Sequence, residues 1–169
     1  NIDWDEGWVF TFRDVTNTTT NYRTAMGTIA PFYGFGNTAP ILTFGDTQHR
    51  AENALLFTSF FTSFVFDFAL RQSVGGAHIN LYILEQLPMP TPKDISSIQI
   101  SFSNNTTSLK EFLVENALHL TWTSHSLDSL GETLGNDEGP FVWDDKDRRR
   151  RRAAIDAAIA KVYGLSEKE

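Results

Sequence analysis

Apolar and polar residues alternate along the first part of the chain, as they do in half-buried β-strands. Residues 8–13 alternate over their whole length and predict a first strand. Residues 24–31 predict a second strand that ends at a proline, and residues 41–44 predict a short third one. The polar, threonine-rich segment 14–23 between the first two strands predicts a loop.

The longest apolar stretch, residues 47–73, contains neither glycine nor proline and predicts one long helix. It holds six of the fourteen phenylalanines of the chain: Phe57, Phe60, Phe61, Phe64, Phe66 and Phe68. Because apolar residues surround most of its circumference, we expect a central, buried helix. Polar residues interrupt the stretch too often for it to cross a bilayer, which takes about 20 apolar residues.

A proline-rich segment, residues 87–92, cannot continue a helix or a strand and predicts a boundary. Beyond it, the apolar spacing predicts helices over residues 108–122, 124–134 and 147–163.

These elements predict an α/β fold of the α+β kind, with a small curved mixed sheet packed on the long apolar helix. We therefore divide the chain into an α/β domain, residues 1–92, and a helical C-terminal appendage, residues 93–169. The appendage is expected to pack back on the first domain or on a domain outside this chain.

The composition is that of a folded chain, and it restricts the available chemistry. Hydrophobic residues make up 41% of the 169 residues, and there is no cysteine, which excludes thiolate zinc sites and cysteine nucleophiles. The four histidines lack the spacing of metal ligands, and neither phosphate-binding glycine motif is present. We therefore predict no catalytic residue, no metal site and no cofactor site within this chain.

The formal net charge is −7, which argues against a free-standing nucleic-acid-binding protein, since such proteins are usually basic. Five consecutive arginines, residues 148–152, nevertheless suggest phosphate binding, because a guanidinium group matches a phosphate in geometry and charge. Consecutive residues of a helix point in different directions, however, and three aspartates precede the run. The pattern therefore favours a solvated helix face whose charge is balanced by acids.

Polar side chains suited to nucleic acid occur near two predicted loops. Arg71 and Gln72 end the long helix and could reach a phosphate or a base edge, although Arg71 could instead pair with Asp67 four residues earlier. A loop-to-strand junction contains Asn21, Tyr22, Arg23 and Thr24. The alternative for this junction is that Arg23 and Thr24 only tie the loop to the sheet.

Ten short segments follow one another in a characteristic order and spacing. They are residues 8–13, 21–24, 29–31, 55–72, 75–80, 83–90, 117–124, 141–144, 155–158 and 163–165. Taken together, they resemble the C-terminal target-recognition region of Eco57I-like restriction–modification DNA adenine methyltransferases. That family includes type IIG enzymes and the adenine methylases of phage-defence islands, and the resemblance covers nearly the whole chain.

The resemblance implies that this chain is the part of a longer prokaryotic, cytoplasmic protein that binds duplex DNA and reads its sequence. A separate catalytic domain would transfer a methyl group from S-adenosylmethionine to adenine N6. The family's catalytic Asn-Pro-Pro-Tyr motif and its cofactor-binding motif do not occur in this chain. The expected partners are therefore duplex DNA and that catalytic domain, with no membrane, and the resemblance leaves open whether the parent protein also cleaves DNA.

The resemblance and the placement of polar residues near predicted loops together select candidate DNA contacts. The set is Asn21, Tyr22, Arg23, Thr24, Arg71, Gln72, His78 and Asn80. We expect Arg23 and Arg71 to contact phosphate or guanine, and the amide side chains of the set to contact adenine.

A structural or docking module with little DNA contact of its own is the alternative function. The placement of four arginines distinguishes the two: Arg13, Arg23, Arg50 and Arg71. If they gather on one face, DNA recognition is favoured even in an acidic protein. If they are scattered, or paired with Asp14, Asp67 and Glu85, the docking module is favoured.

Overall fold

The computed structural model of the protein describes residues 4–102 and 105–165. Three strands near the N-terminus form one sheet, in which β1 (Trp8–Phe12) lies between β2 (Gly27–Pro31) and β3 (Ile41–Leu42). All five residues of β1 are buried. The three predicted strands are confirmed, with shorter bounds, and β1 pairs antiparallel with both neighbours where we expected mixed directions.

The prediction of a single long apolar helix is wrong. The segment forms two helices, α1 (Arg50–Phe61) and α2 (Phe64–Ser73), which are bent by 71° relative to each other. Ser63 makes the break, because its backbone is extended and its hydroxyl group caps both helices. Ser63 Oγ donates to the carbonyl of Phe60 at 2.7 Å and accepts from the amide of Phe66 at 3.2 Å. A serine at this position competes with the continuous helical hydrogen-bond pattern.

The phenylalanines of this helix pair are divided between core and surface. Phe60, Phe61 and Phe66 are at most 3% exposed, whereas Phe64 and Phe68 are 51% and 67% exposed. No single helix in residues 4–102 and 105–165 is long and apolar enough to cross a membrane. The pair α1 and α2 meets those two criteria only when both helices are taken together across their bend.

Four short elements follow, for which the sequence predicts nothing. They are α3 (Leu81–Leu84), α4 (Pro92–Ser97), β4 (Gln99–Phe102) and β5 (Asn105–Ser108). Strands β4 and β5 pair antiparallel. Helix α4 begins inside the predicted proline boundary because proline is tolerated in the first turn of a helix. Thr91 and Asp94 form a capping box that stabilises this start.

The last third of the chain is helical, as the sequence predicts. Helix α5 (Leu109–Thr121) begins with a capping box between Ser108 and Glu111, and α7 (Asp145–Val162) begins with Asp144 as its N-cap. The expected helix over residues 124–134 is divided into a 3-10 turn (His125–Leu127) and α6 (Asp128–Thr133).

Two apolar clusters hold the elements together, and both include residues from each side of the proline-rich segment. In the first, the sheet residues Trp8 and Phe10 belong to the same cluster as Trp122. In the second, Phe60 of α1 belongs to the same cluster as Ile155 and Ile159 of α7. The C-terminal helices therefore pack on the first half of the chain. The division at residue 92 stays a prediction.

Candidate functional site

A cleft of about 660 Å³ lies where the sheet meets three helices. Its walls are formed by the end of β1, the start of β2, the C-terminal turns of α1 and α5, and one face of α7. The bend between α1 and α2 contributes to this cavity, because Thr62 at the break is one of the lining residues. Both halves of the chain therefore build the cleft.

Four arginines line the cleft: Arg13, Arg23, Arg148 and Arg152. Arg13 directly follows β1, and Arg23 comes shortly before β2. Arg148 and Arg152 are four residues apart on α7, a spacing that places two side chains on one helix face. The cleft therefore collects guanidinium groups from three separate places in the sequence.

Two of these guanidinium groups are held in place by aromatic rings. The guanidinium of Arg23 lies 3.7 Å from the ring centre of Phe64, and that of Arg148 lies 3.7 Å from the ring centre of Trp143. Arg148 also donates to the carbonyl of Leu120 at 2.9 Å. One terminal nitrogen of Arg23, Nη1, is buried and has no hydrogen-bond partner among the described residues. Buried donors without a partner are uncommon in folded proteins.

The other two arginines of the cleft have no charged or hydrogen-bonded partner among the described residues. Arg13 and Arg152 are exposed, and neither side chain has a hydrogen bond or ion pair with any residue that the structure describes. Burial lowers the pKa of Arg148, and the nearby positive charge of Arg152 lowers it further. The two groups therefore repel each other, and an anion placed between them would relieve that repulsion.

Asp156 is the one carboxylate among the residues that line the described cleft. Its Oδ1 accepts from the backbone amide of Phe64 at 2.7 Å. Burial raises the pKa of Asp156, while the bond from Phe64 and the charge of Arg23 act in the opposite direction. Four guanidinium groups against one carboxylate make the lining of the cleft positive in a chain of net charge −7.

The arginine run is divided between the cleft and the surface. Arg150 and Arg151 bind the carboxylate of Asp147 at 3.0 and 2.7 Å, and Arg151 also donates to Asn116. The expectation of an acid-balanced helix face therefore holds for these two residues. It is wrong for Arg148, which is 9% exposed. The helical period turns the first and last arginines of the run toward the cleft, and this spacing was a signal available in the sequence.

Arg71 and Thr24, two of the predicted DNA contacts, are occupied inside the protein. Arg71 donates to the carbonyls of Thr18, Asn21 and Tyr22 at 3.0–3.2 Å. Thr24 is fully buried, and its backbone amide donates to Asp67 Oδ1 at 2.7 Å. Arg71 lies 3.6 Å from the other oxygen of the same carboxylate. Arg71 and Thr24 thus fix the loop that precedes β2 to α2, whereas the alternative interpretation expects Arg23 and Thr24 to tie it to the sheet.

The remaining predicted contacts are dispersed. Asn21 is half-buried and donates to Thr16 at 3.3 Å, and Tyr22 is 84% exposed. Gln72 and Asn80 are also exposed. Of the eight predicted residues, Arg23 is the one that lines the cleft.

The placement of the four arginines supports each of the two expected functions in part. Arg50 binds Asp5 at 2.6 Å, and Arg71 pairs with Asp67, as expected for a docking module. Asp14 is paired with the remaining predicted contact, His78, at 2.9 Å. Arg13 and Arg23 meet in the cleft, as expected for DNA recognition.

Within residues 4–102 and 105–165, no three histidine, aspartate or glutamate side chains are grouped so that they could hold a metal ion. Comparison with known proteins gives no match to this chain, whether by family model, by curated sequence or by solved structure.

Proposed function

We propose that this chain is the DNA-recognition part of a restriction–modification type DNA adenine-N6 methyltransferase. It binds duplex DNA and positions it for a catalytic domain that lies outside the chain and uses S-adenosylmethionine. The observation that supports this proposal most strongly is the gathering of four arginines around one cleft in a chain of net charge −7. The reaction in which this DNA binding takes part, adenine-N6 methylation, is inferred from the resemblance of the sequence to the methyltransferase family.

The local charge of the cleft matters more for DNA binding than the net charge of the chain. A concave surface lined by one sign of charge concentrates the field and attracts an oppositely charged ligand. Guanidinium groups bind phosphate oxygens in a bidentate manner, and those already held on aromatic rings lose less freedom when they do so. Arg23 and Arg148 are held in this way.

The arginines of the cleft position the DNA, and exposed residues of the loop before β2 and of the last turn of α2 read it. Phosphate contacts fix the register of a duplex but carry no sequence information by themselves. Tyr22 and Gln72 are exposed members of the predicted set. Gln72 follows Arg71 directly in sequence, and the carbonyl of Tyr22 accepts a hydrogen bond from Arg71. Because Arg71 binds the carbonyl of Tyr22, it fixes the loop from which a base contact would be made.

The affinity of the 169-residue chain for a labelled DNA duplex, measured by fluorescence anisotropy, tests the proposal. We expect the double variant Arg13→Ala/Arg152→Ala to bind roughly fivefold to thirtyfold more weakly, since two charge-assisted contacts at an exposed site contribute about 1–2 kcal/mol. Arg149→Ala is the matched control, because Arg149 lies on the same helix but does not line the cleft. Equal affinities of the double variant and the unchanged chain would contradict the proposal.

A docking module is the second candidate, and one observation favours it. Phe64 and Phe68 are 51% and 67% exposed although they lie four residues apart on α2, so they form an apolar ridge on the surface. If the chain shows no affinity for duplex DNA at low salt, and Phe68→Ser abolishes association with the catalytic domain, this second function replaces the first.

A further inference from the structure

The wall of the cleft has a second chemistry besides its arginines. Seven residues with hydroxyl groups line it: Thr11, Thr28, Thr38, Thr58, Ser59, Thr62 and Thr121. A hydroxyl group can donate one proton and can accept through two lone pairs. Whether these hydroxyl groups can donate to a ligand depends on the hydrogen bonds that they already donate within the protein.

Five of the seven hydroxyl groups donate to backbone carbonyls of the protein. The bonds are Thr11 to Pro40 at 3.0 Å, Thr28 to Ile29 at 3.1 Å, Thr58 to Ala54 at 2.7 Å, Ser59 to Leu113 at 3.2 Å and Thr62 to Thr58 at 2.7 Å. Their remaining hydrogen-bonding capacity is that of acceptors. This part of the wall therefore suits a ligand that presents N–H groups.

Apolar side chains complete the cleft. Phe12, Met26, Leu120 and Ile155 are among its lining residues. The volume of about 660 Å³ lies within the roughly 300–1,000 Å³ that is typical of small-molecule sites. A duplex is far too large to enter such a space, so a nucleic acid can place only a small part of one strand in it. The matching ligand has an anionic group, an apolar body and N–H donors.

We propose that the cleft binds a nucleoside monophosphate unit whose base carries an amino group. The phosphate lies against Arg13 and Arg152, and the base amino group donates to the hydroxyl oxygens of Thr28 and Thr62. Adenine and cytosine present such an amino group where thymine and uracil present a carbonyl oxygen, which cannot donate to these two hydroxyl oxygens. The inference rests on the proposed function in that it takes nucleic acid as the source, but a free nucleotide has the same chemistry.

Isothermal titration of the 169-residue chain with dCMP and dUMP tests this inference. The two nucleotides share phosphate and sugar and differ in the amino group or carbonyl at C4 of the base. We expect dCMP to bind about fivefold to tenfold more tightly than dUMP, the effect of one hydrogen bond. Inorganic phosphate, which has no base, is expected to bind more weakly than dCMP.

Two variants locate the preference on the wall. Thr28→Val and Thr62→Val each remove a hydroxyl group while keeping a β-branched side chain of similar shape. Each is expected to bring the dCMP and dUMP affinities closer together. Thr20→Val is the matched control, because Thr20 is exposed in a loop and does not line the cleft. Circular dichroism confirms that each variant is folded before it is titrated, and either folded variant is sufficient.

Three results would overturn the inference. The first is equal binding of dCMP and dUMP by the unchanged chain. The second is inorganic phosphate binding as tightly as dCMP, which would make the cleft a simple anion site. The third is a preference for dCMP that persists in every folded wall variant.

Parallel titrations with DNA separate this inference from the proposed function. If the duplex binds and dCMP does not, the nucleotide site is refuted while the DNA-binding proposal stands. If dCMP binds with the expected preference and the duplex does not, the DNA-binding proposal fails and the cleft is a site for a free nucleotide. A single strand containing cytosine that competes with dCMP assigns the source of the nucleotide to DNA.

Discussion

Arg13 and Arg152 have no internal partner among the described residues, whereas Arg23 and Arg148 also hold the fold together. Loss of Arg148 would remove a hydrogen bond to Leu120 and the packing on Trp143. An alanine at that position therefore changes stability as well as charge. Substitutions of Arg13 and Arg152 report on ligand binding with less interference.

Asp156→Asn is expected to strengthen DNA binding at pH 7. The substitution removes the single carboxylate from the described lining, and the amide oxygen can still accept from the backbone amide of Phe64. We expect a gain of about twofold to fivefold, the size of one charge interaction that solvent still screens in part. Anisotropy titration of both chains measures it, with Glu132→Gln on the exposed face of α6 as the control.

The pH dependence of the same binding has a defined sign. Because the pKa of Asp156 is raised by burial, its carboxyl group takes up a proton before ordinary aspartates do as the pH falls. Phosphodiesters stay ionised, so acidification should increase the affinity of the unchanged chain for DNA. Asp156→Asn should lack this component. An identical increase in both chains would assign the effect to other groups.

Gly131→Ala tests the packing of α6 on a buried tryptophan. A Cβ at this position would lie 2.2 Å from a ring carbon of Trp122, which is 1% exposed. Overpacking costs about 1–3 kcal/mol and exceeds the gain of about 1 kcal/mol that alanine brings to a helix. Urea unfolding should therefore show a loss of stability. Gly34→Ala, with open space around the position, should change it by less than about 0.5 kcal/mol.

At the scale of elements, the loop before β2 is fixed by α2 rather than by its own sequence. Arg71 donates to three loop carbonyls, and Asp67 accepts from the amides of Thr24 and Ala25. Both side chains point from one face of α2, four residues apart. The position of Tyr22 and Arg23 thus depends on this helix.

Arg71→Ala is therefore expected to destabilise the protein by about 1–3 kcal/mol, because it leaves three carbonyls without their donor. Faster amide hydrogen exchange in residues 17–24 should accompany the loss. Gln72→Ala, at an exposed neighbouring position, should leave both measurements unchanged. If Arg71→Ala weakened DNA binding with full stability and exchange protection, Arg71 would be a direct contact as the sequence suggests.

Elements with local signals were predictable. Helices α5 and α7 have capping residues and an apolar stripe within their own sequences, and both are found where predicted. The break between α1 and α2 at Ser63 is not predictable from the sequence, because serines also occur within helices and only the packing of α2 decides the bend. Helix α4 is not predicted, because the prolines around its capping residues Thr91 and Asp94 argue against regular structure. Strand β4 is short, and its partner β5 consists of polar residues without alternation, so the sequence does not predict their pairing.

The cleft was less predictable than the fold. Arg23 was identified from its place at the loop, and Arg13 was named as a residue whose position would decide the function. The sequence analysis does not select Arg148 and Arg152, because it takes the different directions of five consecutive arginines as an argument against any contact surface, although the first and last of them share one helix face. Which face meets the sheet depends on contacts between α7 and the first half of the chain, such as that of Ile159 with Phe60 in one cluster.

At the scale of the whole molecule, the proline-rich segment joins two parts that depend on each other. The cleft takes Arg13 and Arg23 from the first part and Arg148 and Arg152 from the second. Its charge therefore exists only when the helices of the second part are packed on the sheet. The chain as a whole is acidic, with a net charge of −7. Folding nevertheless brings positive side chains together, so that the cleft is locally positive.

The arginine side-chain Nε–Hε signals in an NMR titration with duplex DNA test the central claim most directly. Assignment by single Arg→Lys variants identifies each signal. We expect the signals of Arg13, Arg23, Arg148 and Arg152 to shift as DNA is added, and that of Arg149 to stay in place. If the four cleft signals do not move while DNA binds, the cleft is not the DNA-binding site.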